Sequence, residues 1–213
     1  MVYDTTESHH TGDVGWPGDR PPHKPYVTRD EPGGVDEIVV TTVVYVPPEE
    51  VYDFLLDFST YTNYSKHLKE VRKHGDGSPG TEYDFRLAWW KLTYTARSEV
   101  TELTPPERID WKIIKDIHAH GCWRIQELDG LPEDAPDDAD TACRVWFEIR
   151  FDADSADSNA LNLPRFISFD RVLDKVKPVV VKEAERIVER IVADLEGRRR
   201  RVELTIENKP SDV

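Results

Sequence analysis

Six consecutive strand-like segments followed by one long amphipathic helix constrain the fold of this chain more than any other feature. Short strands joined by turns indicate an antiparallel meander, and such a sheet commonly has one wet face and one buried face. The helix at about 170–197 is the only element long enough to cover the buried face. The strand segments run over residues 68–74, 81–90, 92–103, 108–116, 119–128 and 141–151.

One further strand and two helices precede this meander. The stretch DEIVVTTVVYV, residues 36–46, is dense in β-branched residues and ends at Pro47-Pro48, which indicates a strand with an abrupt end. Apolar residues at positions 51, 54, 55 and 58 follow at helical spacing, so a helix begins near Pro48. Ser59 is a candidate cap for a second short helix that extends to about Lys66 and carries Tyr61 and Tyr64.

The C-terminal helix is predicted from a stripe of apolar residues that would face the sheet. Pro178 interrupts the stripe and predicts a kink or a new helix start at that point. The stripe consists of Val172, Val176, Val179, Val180, Ala184, Ile187, Ile191 and Leu195.

The order of elements and three local motifs resemble a known family. VPPEEVYDFLLDFSTYTNYSKHLKEV resembles the opening of START-like (SRPBCC) proteins, in their polyketide cyclase/dehydrase and coenzyme Q-binding branch. GCWRI at 121–125 resembles the family's Gly-x-Trp-Arg strand, and ELTPPERIDWK at 102–112 resembles its central turn. The resemblance covers about 36–197. It implies an α+β helix-grip fold, in which a curved antiparallel sheet wraps around the long C-terminal helix. The fold implies an apolar cavity between the sheet and this helix.

Alternation along each strand predicts which side chains face this cavity. Aromatic stripes often only fill a core, but ligand sites are also mostly apolar pockets with a few polar groups. Tyr45, Tyr83, Tyr94 and Ser98 are the polar side chains expected to reach the interior, where their hydroxyls would contact either a ligand or the backbone. The predicted ligand-binding residues are Tyr83, Phe85, Leu87, Tyr94, Ser98, Trp111, Ile113, Trp123, Val145, Phe147, Val176 and Val180.

The negative charge of the chain indicates a high-salt environment and argues against nucleic acid as a partner. Acidic residues outnumber basic ones 42 to 28, for a formal net charge of −14. Molar salt would screen this self-repulsion, so the composition favours a protein of a halophile's cytoplasm, with an ordinary acidic protein as the alternative. Nucleic acid is an unsuitable partner for such a negative field. No stretch approaches the ~20 apolar residues of a membrane span, so we expect no stable membrane insertion.

The ends of the chain and its two cysteines complete the outline. Residues 1–35, rich in Pro, Gly, His and Asp, are expected to form an irregular arm, and 198–213 a C-terminal tail beyond the domain at 36–197. Cys122 and Cys143 form no disulfide framework. A hairpin across the 129–140 loop would place Cys143 opposite Gln126 or Glu127, which is too far from Cys122 for a disulfide.

Catalytic and metal-binding signals are weak in this sequence. Asp116, His118 and His120 form a small cluster, but zinc normally needs three or four ligands and no further pair suits it. The basic run at 198–201 could contact a phosphate, or more simply the C-terminal end of the helix. No catalytic residue and no cofactor is predicted.

Three functions remain open at this point. The first is the binding or carrying of a hydrophobic small molecule, such as a quinone, an isoprenoid lipid or a polyketide-like ring compound. The second is an aromatase/cyclase-like or dehydratase-like enzyme that acts on a similar ligand. The third is a macromolecular interaction module with a closed core. The sequence does not predict the oligomeric state.

Overall fold

The computed structural model of the protein describes residues 35–89, 92–152, 155 and 183–209. Eight strands, two α-helices and one 3-10 helix are found in these ranges. In chain order the elements are β1 (Val35–Val44), α1 (Pro48–Leu56), the 3-10 helix (Phe58–Asn63), β2 (Leu68–His74), β3 (Glu82–Trp89), β4 (Leu92–Thr104), β5 (Arg108–Ile113), β6 (His118–Glu127), β7 (Cys143–Asp152), α2 (183–195) and β8 (Thr205–Lys209).

The strands form one open, curved antiparallel sheet. Its order is β2-β3-β4-β5-β6-β7-β1-β8, so β2 to β7 are neighbours in chain order and β1 adds beyond β7. The predicted meander is confirmed, and the observed strand bounds lie within a few residues of the predicted ones. The reason is that Pro and Gly turns end the strands sharply, as at Gly75, Gly77 and Gly80 after β2, which all have positive φ.

The C-terminal strand β8 differs from the sequence prediction. Thr205–Lys209 lies in the segment that was predicted to be a tail, yet it pairs with β1 from Glu37 to Thr41. Five residues with only one large apolar side chain, Ile206, give too short an alternation to be recognised.

The short helix after α1 also differs in detail. It is a 3-10 helix that begins at Phe58, and Asp57 occupies its N-cap position in place of the predicted Ser59. None of the described helices is long and apolar enough to cross a membrane.

Helix α2 packs against the core through a face rotated from the predicted stripe. Val192 is 1% exposed and belongs to the core, with Val188 and Leu195 packed beside it. Leu195 packs there as predicted, but Ile187 and Ile191 do not belong to the residues packed against the core, so most of the core-packed face is displaced by one residue around the helix. The predicted first half of the helix, which contains Val172, Val176, Pro178 and Val180, lies outside the described residues.

The two cysteines are free, as predicted, and both are buried. Cys143 lies opposite Glu127 in the β6–β7 register, and the N–H of Leu128 donates to the carbonyl of Ala142 at 2.8 Å. The expected hairpin register is therefore confirmed. Burial raises the pKa of both thiols to about 11.

Ion pairs cover the outer face of the sheet, opposite the core. Arg97 donates two hydrogen bonds to Asp84, at 2.7 and 3.0 Å, and the guanidinium of Arg124 lies 3.9 Å from the ring centroid of Trp146. Further pairs on this face join Arg72 to Glu70, Lys112 to Glu99, Arg108 to Asp110, Arg124 to Glu148 and Arg150 to Glu37.

The basic run after α2 has a structural role in part. Arg200 donates two hydrogen bonds to Glu196, whose side chain is only 1% exposed, and a third to the carbonyl of Val43 at 2.7 Å. Its guanidinium also lies over the ring of Tyr45. Arg200 thus ties Glu196, which follows α2, to β1, through a side chain and a strand carbonyl and not through the helix carbonyls of the simpler sequence interpretation.

Candidate functional site

Burial of the inward side chains falls along β3, β4, β5 and β7 toward the same end of the sheet. On β3, Tyr83 is 3% exposed and Leu87 is 38% exposed. On β5, Ile109 is completely buried whereas Trp111 and Ile113 are half-buried. Because neighbouring strands are antiparallel, the C-terminal ends of β3, β5 and β7 lie beside the N-terminal ends of β4, β6 and β1. We call the end of the sheet formed by these strand termini the open end, and the opposite end the closed end.

Helix α1 and the 3-10 helix fill the closed end. Val51 and Leu55 from α1 and Phe58 from the 3-10 helix are at most 5% exposed. The ring of Phe58 meets that of Tyr83 edge-on, with centroids 4.8 Å apart. The buried core of the closed end also contains Val44, Val100, Ile109, Ile125, Cys143, Val145 and Val192.

Three aromatic side chains form a continuous surface toward the open end, which we call the aromatic floor. Trp111 of β5 stacks on Phe147 of β7, with centroids 5.8 Å apart and planes 17° apart. Trp123 of β6 lies 4.6 Å from Phe147 at a tilt of 48°. All three are half-buried.

Gly121 allows the Trp111 ring to cross β6 and reach Phe147. Gly121 lies opposite Trp111 in the β5–β6 register. A Cβ atom at Gly121 would lie 2.6 Å from Cζ2 of Trp111 and 2.2 Å from the backbone oxygen of Glu148. Any other residue would displace the ring, so glycine is what gives the floor its shape.

The Tyr61 hydroxyl is the hydrogen-bond partner of the Trp123 indole in the floor. The indole N–H of Trp123 donates to the Tyr61 hydroxyl, which in turn donates to the carbonyl of Leu55 at 2.6 Å. Burial raises the pKa of Tyr61 well above its usual value, with a smaller contribution from the charge of Asp57. The floor therefore presents ring surface without a free indole N–H at Trp123.

The predicted polar residues fall in different places. Tyr83 and Ser98 are 3% and 6% exposed and lie in the buried core, and the ring of Tyr45 is covered by Arg200. Tyr94 is half-buried and lies opposite Leu87 at the open end. Burial raises the pKa of Tyr94, and the charge of nearby Asp116 raises it further.

The predicted ligand-binding residues thus divide into two groups. Val145 and Phe85 join Tyr83 and Ser98 in or against the closed-end core. Leu87, Tyr94, Ile113 and the three residues of the aromatic floor lie toward the open end, although Trp123 also packs against the closed-end core. Val176 and Val180 lie outside the described residues.

Sequence reasoning missed three residues at this site: Tyr61, Gly121 and Glu183. The sequence predicts Tyr61 and Tyr64 on the second short helix and does not assign them to the ligand-binding residues. The Tyr61 hydroxyl contacts the Trp123 indole and the Leu55 carbonyl, and Tyr64 donates to Asp194 of α2 at 2.8 Å. Gly121 could have been found from its register opposite a tryptophan. Glu183 is 7% exposed, which no pattern of charged residues on a helix would indicate.

The two histidines of the predicted cluster lie away from the aromatic floor. His118 and His120 point to the outer face and are exposed. Among the described residues, no group of three or more His, Cys, Asp or Glu side chains could hold a metal ion. A polar pocket of about 250 Å³ is present, but it lies on the outer face, where its charged side chains are engaged in ion pairs: Glu70, Arg72, Asp84 and Arg86, beside Thr95.

Comparisons with known proteins place this geometry in a family. Two solved structures share the fold: Zhui aromatase/cyclase from Streptomyces sp. R1128 and the di-domain aromatase/cyclase StfQ from the steffimycin biosynthetic pathway. The Zhui match has a TM-score of 0.57 and 16% identity, and it covers 76% of this chain and 94% of Zhui. The StfQ match has a TM-score of 0.52 and 14% identity, and it covers 76% of this chain and 50% of StfQ.

No curated protein matches the sequence. The sequence model described as "Polyketide cyclase / dehydrase and lipid transport" matches residues 44–177, which is more than half of the chain. These residues include β2 to β7 and the whole aromatic floor. The protein therefore belongs to the polyketide cyclase/dehydrase and lipid transport family.

Proposed function

We propose that the protein binds a hydrophobic, ring-containing small molecule at the open end, between the sheet and the C-terminal helix. The observation that carries this proposal is the aromatic floor. The three floor residues Trp111, Trp123 and Phe147 are half-buried although they point inward. At the closed end, the apolar inward side chains of the same strands are at most 7% exposed. A quinone, an isoprenoid lipid or a polyketide-like ring compound has the apolar surface to cover them.

The shape of the floor favours a flat ring over a flexible chain. Aromatic walls offer a large contact area and lose little conformational entropy when a ligand binds. The near-parallel rings of Trp111 and Phe147 present ring faces that can stack on a planar ligand. Tyr94 supplies a hydroxyl beside this surface, so it would orient a carbonyl or hydroxyl group of the ligand.

A second candidate function is an enzyme of the aromatase/cyclase kind. Two features support it: two solved structures that share the fold are named as aromatase/cyclases, and Asp116 lies near Tyr94. The Asp116 side chain is 16% exposed and lies in the β5–β6 turn at the open end. A carboxylate beside a phenol could serve in proton transfer. Conversion of a bound polyketide-like compound, followed by mass spectrometry, would distinguish this function from simple carriage.

Calorimetric titration with neutral apolar probes tests the binding proposal. Suitable probes are menadione, ubiquinone-1 and Nile red, and we expect at least one Kd below ~100 μM, equivalent to about −5.5 kcal/mol. Trp111→Leu should weaken binding about tenfold because it removes half of the stacked pair. Trp146→Leu is the matched control, since Trp146 lies on the outer face against Arg124.

Two results would overturn the proposal. The first is that no probe binds and that organic extraction of the purified protein yields no compound by mass spectrometry. The second is that Trp146→Leu weakens binding as much as Trp111→Leu does, because the ligand would then not lie on the aromatic floor. The first result would favour the interaction-module hypothesis, and the second would move the ligand to another site.

A further inference from the structure

Glu183, at the start of the described part of α2, is a buried carboxylate whose two oxygen atoms have different surroundings. Its Oε2 atom lies 3.4 Å from Nζ of Lys66 and 3.8 Å from a guanidinium nitrogen of Arg186. Both cations are more than half exposed, so Oε2 faces the solvent side. Its Oε1 atom is buried and has no hydrogen-bond partner among the described residues.

The position of Glu183 in the fold is the border of the open end. Its partner Lys66 precedes β2, where the N–H of Ala88 donates to the carbonyl of His67 at 2.8 Å. Leu68 lies opposite Leu87, an inward residue of β3 that is 38% exposed. Glu183 thus borders the end of the sheet to which the proposed function assigns the ligand.

A buried acceptor without a partner is costly, and a ligand could relieve that cost. An unsatisfied buried polar group costs about 1–3 kcal/mol, and more when it is charged. The two cations on one side of the carboxylate leave Oε1 turned toward the interior. An apolar ligand at this place would keep the acceptor unsatisfied, whereas a ligand with a hydroxyl group would satisfy it.

We propose that Glu183 is a specificity-determining residue, whose Oε1 atom accepts a hydrogen bond from a hydroxyl group of the bound ring compound. This inference rests on the proposed function and names the ligand more closely: a ring compound with a phenol or alcohol group, in preference to its O-methyl derivative. Sites built to pair with a hydroxyl reject analogues that lack it, because their own polar atom is then left unpaired.

The test compares 2-hydroxyanthraquinone with 2-methoxyanthraquinone at about pH 6, by calorimetry. We expect the protein to prefer the hydroxyl compound about tenfold, equivalent to about 1.4 kcal/mol. Glu183→Leu should reduce this preference to within about twofold and leave the methoxy compound bound at least as tightly as before. Glu189→Leu, at an exposed position on the same helix, should retain the tenfold preference.

The near-isosteric variant Glu183→Gln keeps the test valid if Glu183→Leu does not fold. One of its measurements, the absorption of the bound ligand, does not depend on protein stability. Glu183→Gln should lower the preference to about threefold, because a neutral amide oxygen is a weaker acceptor than a carboxylate. The carboxylate also opposes a second negative charge beside it. The phenolate absorption band of bound 2-hydroxyanthraquinone should therefore appear at higher pH in the unaltered protein than in Glu183→Gln.

The outcomes separate the two proposals. If both compounds bind equally to the unaltered protein, the role of Glu183 is refuted while the binding function stands. Equal preference in the unaltered protein and in folded Glu183→Leu refutes it as well. If neither anthraquinone binds while an apolar probe such as menadione does, the role of Glu183 is refuted and the binding function stands; if no probe of either kind binds, both proposals fail.

Discussion

The closed and open ends of the sheet have the same strands and the same alternation, but they differ in what covers them. At the closed end, α1, the 3-10 helix and Val192 of α2 leave Val100 and Ile109 fully buried. Toward the open end, the inward residues of the same strands, such as Trp111 and Tyr94, are half-buried. A residue's inward direction therefore does not decide between core and site. Its distance from the covering helices does.

This difference suggests a division of labour between stability and binding. A side chain at the closed end touches protein on all sides, so its truncation leaves a cavity. A side chain at the open end has part of its surface free, so its truncation should affect a ligand more than the fold. The predictions below test this division, beginning with the largest expected effect.

The first prediction compares two isoleucines on β5. Ile109→Ala should lower the free energy of unfolding by about 4 kcal/mol, because Ile109 is completely buried. Ile113→Ala, four residues along the same strand, should cost about 1 kcal/mol and should weaken ligand binding instead. Urea unfolding and probe titration of both variants provide the measurement. Equal losses of stability would show that the two ends do not differ.

The second prediction concerns Gly121, which shapes the aromatic floor. Gly121→Ala should cost about 3 kcal/mol and change the near-ultraviolet circular dichroism of the tryptophans, because its Cβ would lie 2.2 Å from the Glu148 oxygen and 2.6 Å from Trp111. Gly130→Ala is the control, since nothing lies within 4 Å of a Cβ there. A Gly121→Ala protein with an unchanged spectrum and unchanged probe affinity would refute this role.

Much of the fold could be predicted from the sequence because its signals are local. Alternation of apolar and polar residues and the Pro or Gly turns located β1 to β7, and β2 was predicted with its observed bounds, Leu68–His74. Strand β8 could not be predicted, because its pairing with β1 depends on Arg200 and Glu196, which bring the chain back to the sheet.

The site was harder to predict because burial along a strand is not a local property. Alternation correctly placed Tyr83 and Trp111 on the inner face, but it could not show that Phe58 covers the first and leaves the second half-exposed. The face of α2 was displaced by one residue for a similar reason. Val188 and Ile187 are equally apolar, and only packing against the core distinguishes them.

The third prediction tests whether ion pairs on the outer face support the sheet between its two ends. Asp84 of β3 accepts two hydrogen bonds from Arg97, which lower its pKa from 3.8 to about 2 with help from His74. Because the pKa of Asp84 is lower in the folded protein than its ordinary value of 3.8, the carboxylate stabilises the fold at pH values above 3.8. This contribution is lost as the pH falls toward about 2. Asp84→Asn should therefore cost about 1 kcal/mol at pH 7, after allowance for screening of the exposed Arg97.

Urea unfolding at several pH values measures this contribution. The difference between the unaltered protein and Asp84→Asn should be constant from about pH 7 to 5 and shrink between about pH 4 and 2. Glu102→Gln, at an exposed position on β4, should show no such dependence. A difference that persists unchanged at about pH 2 would contradict the assigned pKa.

The fourth and smallest effect is that of salt, which should act on both ends alike. The net charge of −14 repels itself in dilute buffer, and raising KCl from ~0.1 M to ~2 M shortens the screening length to about 3 Å or less. We expect the midpoint of thermal unfolding to rise by several degrees. The difference in stability between Ile109→Ala and Ile113→Ala should not change, because packing rather than charge distinguishes their surroundings. An unchanged or lower midpoint would count against adaptation to a salty cytoplasm, and a salt-dependent difference between the two variants would show that charge contributes to the contrast between the ends.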